Sequence, residues 1–537
     1  MKHDSKHLAG LGFGIAAGIL VIPAACAPGT DKGKKDDRQM NILYIMCDDH
    51  SYQTISAYGG SLIETPNIDR IADSGMIFTN SFVANSVSAP SRACLLTGKH
   101  SHKNGMTDNT KIFDGSQQTF PKLLRQAGYQ TAIVGKWHLV SEPTGFDYWN
   151  ILIGQGEYYN PTFIDNGEKK VVKGYATEVT TDLALEWLES GRDTTKPFCL
   201  LLHHKAPHRT WMPDTTDLGA FDDAVIPLPE NFYDDYEGRP AAAAQEMEID
   251  RHMDLVYDLK MADKEGEIHT DTGLEEYGRA MYSRMDPDQK KAWDAYYDPI
   301  IEEFKKSGLD GDRLAEWKYR RYMLDYLSVI RSVDRNVGRV IDYLQENGLW
   351  DNTIIVYTSD QGFYMGEHGW FDKRFMYEES FRTPLLVRYP GGYRGEVDAF
   401  VQNIDHAPTF LEAARARIPE DIQGESYLSF LEDGKAPDGG EWRDALYYHY
   451  YEYPGEHAVR RHYGVRTDRY KLMHFYGDID SWELYDLEKD PHEMHNVYGL
   501  ERYRKIQEDL YEKLVELQKQ YDDTAALREN ASFNENR

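Results

Sequence analysis

The sequence is poor in cysteine and in net positive charge, and it has no long apolar run. Four of its 537 residues are cysteine, too few for the disulfide framework that holds small secreted domains together. Cys47, Cys94 and Cys199 lie inside strand or helix patterns, so we expect buried thiols. Basic residues number 60 against 90 acidic ones, and the formal net charge of −30 argues against binding to nucleic acid.

The N-terminus has the pattern of an export signal. Lys2 and Lys6 precede the apolar run Leu8–Ile22, which is too short to predict a membrane span and is followed by Pro23, two alanines and Cys26. Cys26 after small residues is typical of a bacterial lipoprotein, although Pro23 replaces the usual branched aliphatic residue. We therefore predict a signal at 1–26, either lipid-anchored through Cys26 or simply cleaved, and a linker at 27–39. This predicts a periplasmic or outer-membrane protein of a Gram-negative bacterium.

Apolar runs that end in charged or imidazole side chains recur along the chain. The first, Asn41–Cys47, ends in Asp48 and Asp49. The others are Thr131–Val134 before Lys136 and His138, Phe198–Leu202 before His203 to His208, and Thr353–Thr358 before Asp360 and Gln361. Such runs, with helical patterns between them, indicate buried parallel strands. We therefore predict an α/β fold with a large, mostly parallel sheet sandwiched by helices, whose strand ends form a site.

Two regions depart from this alternation of strand and helix patterns. Residues 215–320 are rich in acidic residues, lysine and tyrosine, and we interpret them as an insertion in a catalytic domain spanning 40–435. A helix with buried positions from Met323 to Leu344 follows it. From 436 to 525 short aromatic strands and one helix predict a smaller subdomain with an antiparallel sheet. Together with the aromatic content of 13%, this predicts a two-domain globular protein.

The segment Ser88–Gly98, with the order Ser-x-Pro-Ser-Arg-x-x-Leu-x-Thr-Gly, is the most specific motif in the chain. Pro90 suits the first position of a helix, and Gly98 suits its end. A hydroxyl at Ser88, free backbone N–H groups and the Arg92 guanidinium would then meet at one place, which favours an anion. Taken by geometry alone, an ordinary capped short helix is the favoured interpretation of the segment.

The ordered motif resembles the signature of the type I sulfatases of the alkaline-phosphatase superfamily. The resemblance implies that residue 88, serine here, is converted to formylglycine, whose hydrate has two geminal hydroxyls. The motif itself offers no general base that would activate a plain serine. A serine at this position resembles substrates of oxygen-independent maturases, which suits an anaerobic bacterium and predicts such a maturase as a partner.

A metal site is predicted where two strands end. Asp48, Asp49, Asp360 and Gln361 offer oxygen atoms, which favours Ca²⁺ or Mg²⁺ over zinc. The resemblance implies that these four side chains hold Ca²⁺ together with residue 88. Gln361 departs from the family pattern, which usually has Asn or His there. Helix capping by the acidic pair and a simple turn at Asp360 are the structural alternatives.

The resemblance also assigns the groups that handle the sulfate. It implies that Arg92, Lys136 and Lys373 contact the sulfate and the nucleophile, that His138 lies beside the hydrate, and that His208 protonates the leaving oxygen. His203 and His204 are rivals for that last role. In the mechanism so implied, one hydroxyl polarised by Ca²⁺ attacks sulfur in line, and His208 protonates the departing sugar oxygen. The second hydroxyl then loses its proton and expels sulfate.

The segment around Lys373 indicates the substrate. Asp372-Lys373-Arg374, together with the later Val387–Gly391, resembles the N-acetylglucosamine-6-sulfatases. Asp372 and Arg374 can bind two sugar hydroxyls, although a plain ion pair is the alternative. We also predict that His462, or His457, lines the sugar site.

The favoured function is exo-acting 6-O-desulfation of N-acetylglucosamine in glycosaminoglycan or mucin glycans. Three alternatives remain: a sulfatase for another position such as a uronate 2-O-sulfate, a phosphoester or phosphonate hydrolase of the same superfamily, and a non-catalytic glycan-binding lipoprotein. The formal negative charge of the chain requires that any anion site be locally positive.

Overall fold

The computed structural model describes residues 39–270, 272–437 and 440–535. The predicted export signal, the lipid anchor at Cys26 and nearly all of the linker lie outside these ranges and stay predictions. Across the described ranges, no helix combines the length and the apolar character needed to cross a bilayer. Cys47, Cys94 and Cys199 are buried free thiols, as predicted.

The described residues form sixteen strands, ten of which make up the largest sheet. The strands of the chain are β1 (Asn41–Cys47), β2 (Met76–Phe78), β3 (Ser81–Phe82), β4 (Gln130–Lys136), β5 (Tyr148–Leu152), β6 (Thr162–Asp165), β7 (Glu168–Val171), β8 (Phe198–His203), β9 (Thr353–Ser359), β10 (Leu385–Arg388), β11 (Gly395–Val397), β12 (Val401–Gln402), β13 (Ala445–Tyr450), β14 (His462–Thr467), β15 (Tyr470–Phe475) and β16 (Ser481–Asp486). The ten-stranded sheet has the order β11-β2-β10-β9-β1-β8-β4-β5-β6-β7, and β12 pairs with β3.

The middle of this sheet is parallel. Strands β9, β1, β8, β4 and β5 run in the same direction, whereas β10 and β6 pair antiparallel at the two sides. The carboxyl ends of parallel strands meet at one edge of the sheet. The four predicted strands with charged ends are therefore neighbours in space, in the order β9-β1-β8-β4.

Helices cover both faces of the sheet. They are α1 (Pro66–Asp73), α2 (Ser88–Thr97), α3 (Ser101–Asn104), α4 (Phe120–Gln126), α5 (Ala176–Glu186), α6 (Pro240–Ala243), α7 (Glu275–Ser283), α8 (Pro287–Ser307), α9 (Gly311–Glu346), α10 (Glu378–Phe381), α11 (His406–Ala413), α12 (Leu428–Asp433), α13 (Arg504–Gln520) and α14 (Thr524–Glu535). Leu43 and Ile45 of β1 pack with α1, α5 and α9, whereas Ile42 and Tyr44 pack with α2, α4, α11 and α12. A strand buried on both faces reads as a continuous apolar run, which explains why β1 was predictable. The predicted α/β sandwich is confirmed.

The second sheet is antiparallel and has the order β13-β14-β15-β16. Helix α13 packs on it through Leu510, Leu514 and Leu517. The prediction of an antiparallel sheet with a helix is confirmed, but α14 was missed. Among its residues 524–530, Ala526 and Asn530 are the buried ones, and they give little periodic signal in the sequence.

Two other elements differ from the prediction. Helix α9 begins at Gly311, well before Met323, because Ala315, Tyr319 and Tyr322 extend its buried face through a charge-rich stretch. The hairpin of β6 and β7 extends the sheet at one side and was missed, since all four residues of β7 are exposed and lack apolar alternation. Helix α8 lies inside the predicted insertion and is capped by Asp286, whose side chain accepts hydrogen bonds from the backbone N–H groups of Asp288 and Gln289.

Candidate active site

Ser88 lies at the carboxyl edge of the parallel strands. Its Oγ donates a hydrogen bond to Asp48 Oδ1 at 2.9 Å and accepts one from Gln361 Nε2 at 3.3 Å. Asp48 follows β1 and Gln361 follows β9, so two neighbouring strand ends and the start of α2 converge on this hydroxyl. The structure thus brings the predicted nucleophile position and the predicted metal ligands together.

Helix α2 begins at Ser88 and not, as predicted, at Pro90. Val87 is the N-cap residue, which makes Ser88 the first helical residue, and Gly98 ends the helix in the left-handed region with φ 65°. Every residue of α2 is buried. The N-terminus of a buried helix is electropositive, and Ser88, as the first residue of α2, places its side chain there, which favours an anion beside it.

Asp48, Asp49, Asp360 and Gln361 form one buried cluster. The backbone N–H of Asp49 donates to Asp360 Oδ1 at 3.2 Å, and the amide of Gln361 donates to Asp49 Oδ1. Gln361 Oε1 is buried and has no hydrogen-bond partner. A half-turn of this amide would direct Oε1 toward Asp49 and Ser88, giving a set of oxygen atoms that fits a hard cation such as Ca²⁺.

The ionisation of the three carboxylates also favours a bound cation. Burial opposes ionisation of Asp48, but the surrounding cations, Lys136 first, hold the pKa of this carboxyl well below its usual value. Burial raises the pKa of Asp49 to about 6, against the effect of Lys373. Burial, followed by the negative charge of Asp48, raises the pKa of Asp360 to about 7. Three carboxylates that repel one another in a buried space are the environment that a divalent cation stabilises.

Three buried cations surround these carboxylates. Lys136 Nζ donates to Asp48 Oδ2, and Lys373 Nζ donates to Asp49 Oδ2 at 2.8 Å. Arg92 donates from Nη2 to Asp360 Oδ2 at 2.8 Å and from Nη1 to the Lys136 carbonyl at 2.9 Å. The three cations thus balance the three carboxylates, and a bound divalent cation would make the site locally positive, as the sequence required for an anionic ligand.

Lys136 reaches the site because a glycine precedes it. Gly135 has φ 105°, and a Cβ there would lie 1.9 Å from the carbonyl oxygen of His203 on β8. Only a residue without a side chain lets β4 and β8 approach this closely.

We expect Gly135→Ala to lower the free energy of unfolding by at least about 3 kcal/mol, because it combines an unfavourable φ with a backbone clash. The matched control is Gly128→Ala before the same strand, with φ 94° and open space around its Cβ. It should cost about 1 kcal/mol from the backbone conformation alone. Urea denaturation of both variants measures the difference, and equal losses would contradict the role of the close approach.

Four of the sixteen non-glycine residues with positive φ in the described part of the chain belong to this site. Asp49, His138, Asp372 and Arg374 have φ values of 68°, 56°, 76° and 95°, in the left-handed region that L-residues with a Cβ rarely adopt. Such conformations persist where the surrounding structure imposes them, and they cluster at functional sites. The strained residues are among those that the sequence predicted to be functional.

The histidines of the site differ in their partners. His208 Nε2 lies 3.8 Å from Asp49 Oδ2, and its Nδ1 donates to the carbonyl of Arg209 at 2.7 Å. Asp48, Asp49 and His208 offer ligand atoms within 4.8 Å of one another. Burial lowers the pKa of His208 and of His138 well below the usual range. His203 Nδ1 contacts Arg92 and the Lys136 carbonyl, while both ring nitrogens of His204 are buried without a partner, which favours His208 over these two rivals for a role toward a ligand.

Asp372 and Arg374 lie beside Lys373 and are 3% and 2% exposed. Arg374 Nε is 3.3 Å from Asp372 Oδ1, and its Nη1 and Nη2 reach Glu452 and Glu456 at 2.7 and 3.2 Å. His457 Nε2 lies 3.4 Å from Asp372 Oδ2. Glu452, Glu456 and His457 all lie in the loop after β13, so this loop forms part of the surroundings of Asp372 and Arg374.

The assignment of His462 to the sugar site needs correction. His462 is fully buried in β14, its Nε2 accepts the N–H of Met376 at 3.1 Å, and its Nδ1 donates to the Arg460 carbonyl at 2.7 Å. Both ring nitrogens are therefore satisfied within the protein, and the ring packs against Phe475. The alternative, His457, is the one that reaches Asp372.

The sequence missed several residues of the site. Glu452 and Glu456 were not singled out, although the Pro454-Gly455 turn between them marks a loop. Arg209, next to His208, was also missed; it contacts Glu456 Oε1 at 3.1 Å. Gln155 accepts a hydrogen bond from Lys136. None of these lies in a periodic or motif-like stretch that would have indicated a role.

Known proteins share the sequence of this chain over most of its length. Residues 40–416 match the Sulfatase family, and residues 366–520 match the C-terminal region of N-sulphoglucosamine sulphohydrolase. N-acetylglucosamine-6-O-sulfatase of Bacteroides thetaiotaomicron is 52% identical over 507 residues, which are 93% of this chain and 89% of the relative.

Solved structures agree with the sequence comparison. A protein in complex with its substrate D-glucosamine-2-N,6-O-disulfate is 52% identical and superposes with a TM-score of 0.87, over 90% of this chain and 99% of the other. A phosphonate monoester hydrolase of Agrobacterium radiobacter, at 21% identity and a TM-score of 0.64 over 90% and 96% of the two chains, shares the fold alone. With its buried serine, carboxylates and cations in place at one edge of the sheet, this chain belongs to the sulfatase family and is a sulfuric ester hydrolase.

Proposed function

We propose that this sulfatase removes the 6-O-sulfate from N-acetylglucosamine or a related glucosamine at the end of a glycosaminoglycan or mucin-type chain. The observation that carries the proposal is Ser88, whose Oγ lies 2.9 Å from Asp48 Oδ1 among buried cations and carboxylates. The relative at 52% identity bears the name of this activity, which supports the choice of sugar. At 21% identity, the phosphonate hydrolase gives no reason to prefer phosphorus chemistry.

The proposal includes a calcium ion and a modified residue 88. Asp48, Asp49, Asp360 and Gln361 would hold Ca²⁺ together with residue 88, and the ion would supply positive charge beside the attacking oxygen. We propose that a serine-type maturase converts Ser88 to formylglycine. The group that accepts the hydrogen bond of the Ser88 hydroxyl is the Asp48 carboxylate. Although burial opposes its ionisation, the surrounding cations keep the pKa of Asp48 well below the usual value, so it is too weak a base to activate a plain serine.

The protein supplies the remaining chemistry. Arg92, Lys136 and Lys373 place positive charge where the sulfate oxygens become more negative, and they do so in a water-poor site in which such charges are most effective. His208 gives the proton of Nε2 to the departing sugar oxygen as its bond to sulfur breaks. The carbonyl of Arg209 holds Nδ1, so that the other nitrogen stays available for this transfer.

Recognition of the sugar falls to Asp372 and Arg374. A carboxylate and a guanidinium can fix two sugar hydroxyls by charge-assisted hydrogen bonds. A 6-sulfate is attached through an exocyclic methylene, so the ring stands clear of the deep sulfate site with its 3- and 4-hydroxyls near these side chains. A 2-O-sulfate is attached to the ring itself and would turn those hydroxyls away.

This division of roles predicts different losses for neighbouring variants. Lys373→Ala should impair hydrolysis of every sulfate ester, because Lys373 acts on the group that is transferred. Asp372→Ala and Arg374→Ala should spare a small aryl sulfate and lose about 2–5 kcal/mol of transition-state stabilisation on the sugar, the range for truncating one partner of a buried charged hydrogen bond. Kinetics on 6-sulfated N-acetylglucosamine, 2-sulfated uronate and an aryl sulfate measure these effects.

The conservative variant Asp372→Asn is the control for folding around Lys373. It should keep the aryl activity and part of the sugar activity, since one oxygen acceptor remains. Equal losses on all three esters for Asp372→Ala would mean that the residue supports Lys373 and does not bind sugar. A wild-type enzyme that prefers the 2-sulfated uronate, or a phosphate monoester, would contradict the proposed substrate.

A further inference from the structure

An ion pair joins the region between residues 215 and 320 to Arg209, the residue that follows His208. Asp258 is fully buried and accepts two hydrogen bonds from Arg209, at 2.6 Å from Nε and 2.9 Å from Nη2. Asp258 is itself fixed, because its Oδ2 accepts the backbone N–H of Asp254 at 2.8 Å and its carbonyl accepts Lys260 Nζ at 2.8 Å. Such a two-point pair between buried side chains allows the guanidinium one orientation.

Other contacts hold Arg209 in the same place. The rings of Tyr257 and Phe371 lie 5.0 and 5.2 Å from its guanidinium carbon. Nη1 reaches Glu456 at 3.1 Å. With its side chain restrained on several sides, the backbone of Arg209 is restrained as well.

The carbonyl of Arg209 is the group that orients His208. A carbonyl can only accept, so His208 Nδ1, at 2.7 Å, carries a hydrogen. The ring then presents Nε2 toward Asp49 and Ser88, on the side where the ester would bind. On the other side, Tyr158 Oη donates to the His208 carbonyl at 2.6 Å and keeps this residue from shifting.

We propose that Asp258 and Arg209 are positioning residues for the leaving-group acid, so that the 215–320 region contributes to catalysis through His208. The inference rests on the proposed function. In the free protein, burial lowers the pKa of His208 and favours the neutral ring, whereas a bound anionic ester beside Nε2 favours the imidazolium. In the step concerned, the proton on Nε2 of this imidazolium passes to the departing oxygen as the S–O bond breaks, and the ring becomes neutral. The Arg209 carbonyl accepts the Nδ1 hydrogen before and after the transfer, so the ring need not turn.

The test compares leaving groups that make no sugar contacts. Phenyl sulfate leaves as a strongly basic phenolate and needs a proton, whereas 4-nitrophenyl sulfate leaves as a weak base and hardly needs one. We expect His208→Ala and Asp258→Ala each to lower kcat about 100-fold on phenyl sulfate. On 4-nitrophenyl sulfate we expect losses below about 5-fold, with KM nearly unchanged on both esters. If Asp258→Ala acted instead by disturbing sugar binding through Arg374, the hydrolysis of both aryl esters would be unchanged.

A double-mutant cycle adds a second criterion. If Asp258 acts through His208, the variant with both replacements should be no slower than His208→Ala alone within about 2-fold. The matched control is Asp263→Asn, a buried carboxylate in the same region that accepts the backbone N–H groups of Glu267 and Ile268 and is not paired with Arg209. It should show no dependence on the leaving group. Equal losses on both aryl esters, or multiplicative losses in the cycle, would overturn the proposal.

Two further measurements keep the test decisive. If Asp258→Ala does not fold because Arg209 is left buried and unpaired, the combined variant Arg209→Met with Asp258→Leu removes both charges and keeps apolar contacts. It should show the same dependence on the leaving group. If aryl sulfates are not turned over, the cycle is run on 6-sulfated N-acetylglucosamine, and a crystal structure of Asp258→Ala should show the His208 ring rotated away from residue 209. An unmoved ring would overturn the inference, whereas failure of the wild type on the 6-sulfated sugar but not on other sulfate esters would overturn only the proposed substrate.

Discussion

Ser88→Ala should lower kcat/KM on every sulfate ester by at least about 10⁵-fold, the scale seen when a catalytic nucleophile is removed. The expected change in stability is at most about 1 kcal/mol, because the hydroxyl makes only two hydrogen bonds and Asp48 keeps its contact with Lys136. Steady-state kinetics and urea denaturation of the same preparation separate the two effects. The control is Thr97→Ala in the last turn of α2, whose buried hydroxyl bonds only the carbonyl of Ala93 at 2.7 Å and which should leave activity unchanged.

Maturation provides an independent check of the same residue. Wild-type protein expressed in a host without a serine-type maturase should fold normally and be as inactive as Ser88→Ala. Mass spectrometry of the peptide that contains residue 88 should find the aldehyde in active protein and serine in inactive protein. Fully active protein with unmodified serine would contradict the role of formylglycine.

Removal of calcium should also cause a large loss of activity. Chelation is expected to lower activity by at least about 1,000-fold, because the ion would supply several kcal/mol of charge stabilisation beside the attacking oxygen. Adding Ca²⁺ should restore activity. It should also raise the unfolding free energy, by about 2.7 kcal/mol at 100 times the dissociation constant.

Variants of the ligands should reproduce this loss. Asp49→Ala and Asp360→Ala should bind no calcium by atomic emission, show no stabilisation by Ca²⁺ and lack activity. The control is Asp334→Asn, a buried carboxylate at the contact of α1 and α9 that bonds the backbone N–H of Asn67 at 2.9 Å; it should bind calcium normally. Recovery of the chelated enzyme with zinc but not with calcium would contradict the argument from oxygen ligands.

Much of the catalytic centre was predictable from the sequence because its parts lie at the ends of buried parallel strands. Strands β1, β4, β8 and β9 read as apolar runs, and parallel pairing places their carboxyl ends side by side whatever their separation in the chain. The motif from Ser88 to Gly98 specified a helix of the right length, with an error of two residues at its start. That error changes little, since Ser88 is fixed by its contacts with Asp48 and Gln361.

The sugar-facing part was decided by the tertiary structure. Arg374 pairs with Glu452, 78 residues away, and only the docking of the second sheet against the first brings them together. His462 and His457 were equal candidates in the sequence, but β14 turns His462 into the core while the loop carries His457 to Asp372. Asp258 meets Arg209 because the polar region after β8 folds back onto the site. The sequence by itself determined the strand ends and the nucleophile motif, because apolar runs and an ordered motif are visible in it. Single polar residues in loops have no periodic or local signal. Long-range packing alone therefore decided which loop side chains meet the strand ends.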